Sequence, residues 1–146
     1  TRDQMAVYIA RALAGGDEYV PTGPVTASFT DVPTDYWAYD HIEYAKGQQV
    51  VAGYTATTYE PTLVVSRGQM AVFIARAMAG DDGSVPAPTG GPTFSDVPQD
   101  FWSYRHIEYV AAADVVGGYG GGLYQPEGPV TRDQMAVFIC RAFGLL

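Results

Sequence analysis

The chain has 146 residues, 47% hydrophobic and 16% charged, with a net charge of −8, a profile that supports a buried core and excludes a disordered chain. One lysine and seven arginines are spread along it, so no basic cluster exists for a nucleic-acid backbone or an anionic lipid surface. No apolar stretch approaches the roughly 20 residues that cross a bilayer, and low lysine with abundant Tyr, Thr and Gly is the composition of many secreted proteins.

The first element, "TRDQMAVYIARAL", predicts a helix over residues 1–15, and nearly the same phrase returns as "SRGQMAVFIARAM" and "TRDQMAVFICRAF". Arg2, Arg67 and Arg132 fall at a constant step of 65 residues. Residues 16–28 read as a linker rich in Pro, Gly and Thr, expected to be extended, exposed and to carry little core. Next comes "FTDVPTDYWAYDHIEYAKGQQVVAGY", which returns at the same step as "FSDVPQDFWSYRHIEYVAAADVVGGY". In these segments Asp35 and Asp100 are the expected N-caps of a helix that Pro33 and Pro98 stiffen at its entry. An apolar stripe of Trp37, Ile42 and Ala45, or Trp102, Ile107 and Ala111, predicts an outer helix packed by one face.

The segments "GYTATTYEPTLVV" and "GYGGGLYQPEGPV" predict Gly/Pro turns, with flanks able to add a small strand-like pairing. After each turn a Ser or Thr with Gln three residues later forms a capping box, Ser66 with Gln69 and Thr131 with Gln134. The helices so opened are apolar on most faces and are expected to be central. Arg76 and Arg141 sit in the last turn, and Gly80 and Gly144 stop the helices. Residues 81–93 form a second linker. Cys140, the only cysteine, takes the slot of Ala10 and Ala75, which reads as a small buried helix position and permits no intrachain disulfide.

The organisation is therefore a half unit (1–15), a linker (16–28), a full unit (29–80), a linker (81–93) and a second full unit (94–146). Repeats of this kind bury their apolar faces by stacking. The half unit implies either a longer parent protein or a partner for the N-terminal helix in another molecule, and an exported protein would carry its signal upstream.

At "FTDVPTDYW", "GYTATTYEP" and "VSRGQ", and again at "FSDVPQDFW", "GGYGGGLYQP" and "VTRDQ", the sequence resembles the S-layer homology family. The resemblance covers both full units and the half unit. It implies a mainly α-helical fold of tandem helix-turn-helix repeats, in which three units close into a pseudo-threefold body. It also implies a non-catalytic module on the bacterial cell surface, whose grooves bind secondary cell-wall polysaccharide, often pyruvylated. The motif arginine is a recurring contact in that family, which carries over to Arg2, Arg67 and Arg132. Two departures stand out: Ala56 and Gly121 replace the usual turn aspartate, and only two Trp-bearing half units are present.

The residues themselves add to this. An arginine fork beside helix N-terminal N–H groups suits a carboxylate, and Trp37, Trp102, Tyr54 and Tyr119 offer faces for a sugar ring. The alternatives are a surface salt bridge for each arginine and a core position for Trp37 and Trp102, which the apolar stripe favours. If the arginines hold glycan, replacing Arg67 and Arg132 with Ala abolishes binding and leaves the melting temperature unchanged.

His41 and His106 follow residues of different charge, Asp40 and Arg105, so no carboxylate–histidine metal set repeats there. The two carboxylates of "DVPTD" or "DVPQD" fall short of the six to eight oxygens that calcium takes. No cofactor, metal or catalytic residue is expected. Two functions compete: anchoring to cell-wall polysaccharide, and self-assembly into a layer, fibre or tube through contacts between copies.

Overall fold

The computed structural model describes residues 1–145. The chain divides into two compact units, residues 1–64 and 65–146. In the first, helix α1 (Arg2–Ala14) is followed by a short 3-10 turn (Asp17–Tyr19) and by helix α2 (Tyr39–Gly47). The second holds helices α3 (Arg67–Ala79), α4 (Tyr104–Ala112) and α5 (Arg132–Ala142). The described residues contain no sheet; the strand-like flanks amount to isolated bridges, Ser66 with Pro129 and Tyr119 with Leu123. The fold is mainly α, as the periodicity predicts.

The packing unit and the sequence period are out of phase. α1 packs on α2 and α3 on α4, so the first two "RxQMAV" helices pair with the Trp-bearing half that follows each in sequence, whereas α5, the third, packs on α3. The apolar positions Met70, Ala71, Ile74 and Ala75 of α3 are buried, as are Met5, Ala6, Ile9 and Ala10 in α1. The partner helix contributes Ile42 and Ala45 or Ile107 and Val110; Val110, not Ala111, holds the buried position.

The Gly/Pro turn closes each unit beneath the N-terminus of the first helix. The free N–H groups there need acceptors, and they find them in the turn: Arg2 N to Leu63 O and Asp3 N to Pro61 O, both 2.9 Å, and Arg67 N to Gly128 O and Gly68 N to Pro126 O, both 2.8 Å. The turn is held in turn by the "FxDV" phrase. Asp31 accepts from the backbone N–H groups of Tyr59 and Glu60 at 2.8 and 2.7 Å, and Asp96 does the same for Tyr124 and Gln125. Glu60 and Gln125 have φ of 58° and 59°, a left-handed conformation that costs a side-chain-bearing residue energy and that these bonds help to fix.

Two expectations are corrected. Asp35 and Asp100 do not cap helices: the N-caps of α2 and α4 lie three residues later, at Ala38 and Ser103. Successive tight turns, Tyr36 N to Pro33 O and Tyr39 N to Tyr36 O, carry the chain into α2, and Phe101 N to Pro98 O and Tyr104 N to Phe101 O into α4. The linkers, although largely exposed, are stitched to the helices. Glu43 accepts from Ser28 N and Oγ at 2.7 Å each, Glu108 from Thr93 N and Oγ1 at 2.9 and 2.6 Å, and Val85 is buried.

Candidate functional site

The expected site residues separate into an inner and an outer group. Arg2 and Arg67 are inner, 4% and 2% exposed. Arg67 donates from Nε to Tyr124 O at 2.8 Å and from Nη2 to Gly117 O at 2.8 Å, and its guanidinium lies 4.4 Å from the Tyr124 ring centroid and 4.8 Å from that of Tyr119. Arg2 repeats the arrangement with Tyr59 O at 2.7 Å, Ala52 O at 3.0 Å and the Tyr59 ring at 4.5 Å. Both guanidinium groups are thus engaged inside the fold, tying a helix N-terminus to the turn, rather than presented on a surface. Burial lowers the pKa of Arg2, opposed by Tyr59 and nearby carboxylates, and pushes the Tyr59 and Tyr124 phenols well above the ordinary value.

The outer group is aromatic. Trp37 and Trp102 are 60% and 56% exposed, which corrects their placement on the core stripe. They lie in the tight turns that precede α2 and α4, before the helical phase that would have turned them inward begins. Tyr54 and Tyr119 are also exposed, and the Tyr119 hydroxyl accepts from Gln134 Nε2 at 2.9 Å. Arg132 is exposed at the start of α5.

Beside Trp102 the structure assembles a charged cluster that sequence reasoning missed. Asp82, in the linker, accepts from Arg76 Nε at 2.8 Å and from Arg105 Nη2 at 2.7 Å, and its Oδ1 lies 2.9 Å from His106 Nε2. Hydrogen bonds from Arg76 and His106 hold its carboxyl well below the usual range against the opposing effect of burial. Burial pushes the His106 imidazole down, with Asp82 opposing. Arg76, Asp82, Arg105, His106 and Trp102 line one cleft of about 390 Å³, a volume within the range of small-ligand sites. The matching cluster in residues 1–64 has Arg11 and His41 on Asp17, at 2.6 and 2.8 Å. The sequence signal was present: Arg11, Asp17, His41 and Trp37 recur at the 65-residue step, but nothing in the sequence brings linker and helix together.

Among the described residues no group of three or more His, Cys, Asp or Glu side chains is placed to hold a metal ion, and no helix is long and apolar enough to cross a membrane. An exposed aromatic thus stands beside a charged cleft, on helical units repeated at a fixed step.

The S-layer homology domain model matches residues 28–71 and 93–136, more than half of the chain. The chain belongs to the S-layer homology domain family, with two matched repeats. It is similar to an endoglucanase of Bacillus sp. (strain KSM-635), 32% identical over 118 residues that cover 81% of this chain and 12% of the relative. An S-layer protein of Bacillus licheniformis is 31% identical over 126 residues, 86% of this chain and 14% of that protein. A cellulosome-anchoring protein of Acetivibrio thermocellus is 26% identical over 106 residues, 73% of this chain and 22% of that protein. The chain thus spans less than a quarter of each of these curated relatives.

Proposed function

We propose that the chain attaches the protein it belongs to onto the bacterial envelope by binding an acidic, for example pyruvylated, cell-wall polysaccharide. The observation that carries this reading is the exposed Trp102 ring beside Arg76 and Arg105 in one cleft. A ring face takes the apolar side of a sugar, and guanidinium forks take its carboxylate. Trp37, Tyr54 and Tyr119 supply further platforms along a polymer, and Arg132 a further exposed cation. Arg2 and Arg67 act indirectly, by fixing the turns that carry Tyr54 and Tyr119. That an S-layer protein and a cellulosome-anchoring protein share the module supports attachment as its role. Affinity electrophoresis tests the reading: the chain is expected to be retarded in a native gel containing purified cell-wall polysaccharide, and Trp102→Ala to migrate freely. Unretarded migration of the parent chain would overturn it.

A second reading, assembly of copies into a surface layer or fibre, is favoured by α5. Val137 is 42% exposed, whereas its equivalents Val7 and Val72 are 4% and 6% exposed, so an apolar position covered on two of the three related helices is open on the third. Concentration-dependent sedimentation that Val137→Asp abolishes would support this reading; a monomer at all concentrations would remove it.

A further inference from the structure

We infer that the two Trp-bearing halves are not equivalent and that the acidic group of the glycan is taken only at the Trp102 cleft, with Arg105 and Gly68 as the residues that set this selectivity. The inference rests on the polysaccharide-binding reading above and adds to it which copy recognises the carboxylate. It comes from comparing the copies position by position at the 65-residue step.

In the first unit the positions that match Gly68, Arg76, Asp82 and Arg105 hold one arginine, Arg11, and three carboxylates, Asp3, Asp17 and Asp40. Asp3 Oδ2 accepts from the Trp37 indole at 3.2 Å and from the Tyr36 hydroxyl at 2.8 Å, so the aromatic edge already holds a carboxylate from the protein. Burial pushes the Asp3 pKa up, but hydrogen bonds from Thr1, Tyr36, the Gln4 backbone and Trp37 outweigh it and lower the carboxyl below its ordinary value. Asp40 accepts from Gly23 N at 2.8 Å. An incoming anion would meet Asp40 where the other copy has an arginine, and an indole N–H already bonded.

The Trp102 copy keeps the arginine and the linker aspartate, as Arg76 and Asp82, and differs at the other points. Gly68 stands in place of Asp3, Phe101 in place of Tyr36, Ser103 in place of Ala38 and Arg105 in place of Asp40. The internal carboxylate and the hydroxyl that bonded it are lost together, and among the described residues no acceptor meets the Trp102 indole N–H. Ser103 Oγ, fully buried, has no hydrogen-bond partner, and it lies 3.0 Å from where a Cβ on Gly68 would stand. Two arginines now face one carboxylate, Asp82, whose bonds use Arg76 Nε and Arg105 Nη2. A guanidinium carries five N–H donors, which leaves donors on both for a ligand. Gly68, Val72 and Arg76 follow at four-residue spacing and share a face of α3, so the indole edge and the cationic pair lie along one track. A free sugar carboxylate fits this track where the other copy supplies its own.

The test is calorimetric titration of the full chain with a methyl glycoside bearing a 4,6-linked pyruvate ketal, and with its neutral methyl ester. The parent chain is expected to bind one equivalent of the acid, at least about tenfold tighter than the ester, the scale of one charge-assisted contact in a partly exposed site. Arg105→Gln should remove the preference and Arg105→Lys retain part of it. Gly68→Asp combined with Ser103→Ala, which restores the pattern of the other copy, should remove it as well. Asp40→Arg in the first copy should raise the stoichiometry toward two. Two equivalents in the parent chain, equal affinity for acid and ester, or an undiminished preference in folded Arg105→Gln would each overturn the inference. If those variants still bind isolated cell-wall sacculi, anchoring survives and only the assignment of the carboxylate falls; a parent chain that binds no sacculi removes the anchoring reading itself.

Discussion

Replacing Arg67 with Ala is expected to destabilise residues 65–146 severely. The guanidinium is 2% exposed and donates to two main-chain carbonyls, of Tyr124 and Gly117, at 2.8 Å each. A hydrogen bond from a charged donor contributes about 1.5–3 kcal/mol, and the contact with the Tyr124 ring adds about 0.5–2 kcal/mol. Against these stands the cost of burying the charge, which the mutation relieves. The alanine leaves two carbonyls unpaired and a void beneath the turn, so the net loss is about 3 kcal/mol. For a unit of this size that lowers Tm by roughly 10–20 °C. Arg67→Lys keeps a charge but not the planar fork that reaches both carbonyls, and should fall between Ala and the parent. Urea unfolding followed by circular dichroism measures the difference. An Arg67→Ala chain within about 1 kcal/mol of the parent, a loss typical of an ordinary substitution, would refute the reasoning and return Arg67 to the surface role that the sequence alone suggests.

Further expectations follow from the cluster beside Trp102. Burial depresses the His106 pKa below its ordinary 6.5, so as pH falls through that value the unfolded chain takes up a proton before the folded one, and stability declines from there toward the depressed folded pKa. The carboxylate that faces it beside Arg76 and Arg105 does not cancel this: Asp82, held well below its ordinary 3.8, gives up its contribution only at more acid pH. Melting curves between pH 7.5 and 5 should therefore show a decline that His106→Gln flattens; equal slopes would contradict it. Ser103→Ala removes a buried hydroxyl with no partner and restores the alanine of the other copy, so it should leave stability unchanged or raise it by up to about 1 kcal/mol; a clear loss in urea unfolding would show that the hydroxyl is bonded in solution.

The elements legible in the sequence were those whose signals are local. The capping box of Ser66 and Gln69 marks the start of α3, and Gly80, with φ of 99°, its end. Turn chemistry misled at the other helix. Asp35 after Pro33 has the composition of an N-cap, yet hydrogen bonds three residues back carry the chain through tight turns first, and the resulting shift in phase is what exposes Trp37. The arginines misled for a different reason. Arg67 at a helix start looks solvated because its acceptors lie 50 and 57 residues away, a separation at which no local pattern reports. Asp82 sits in a segment that reads as linker, and its role depends on α3 and α4 meeting around it.

The central claim is that the exposed aromatic cleft, not the buried arginines, holds the polymer. The measurement that tests it most directly is co-sedimentation of the chain and of Trp102→Ala with bacterial cell-wall sacculi that retain their polysaccharide, alongside each protein spun alone. The parent chain is expected to pellet only with sacculi, and Trp102→Ala, folded and with an unchanged melting temperature, to stay in the supernatant. A Trp102→Ala chain that pellets as fully as the parent would contradict it.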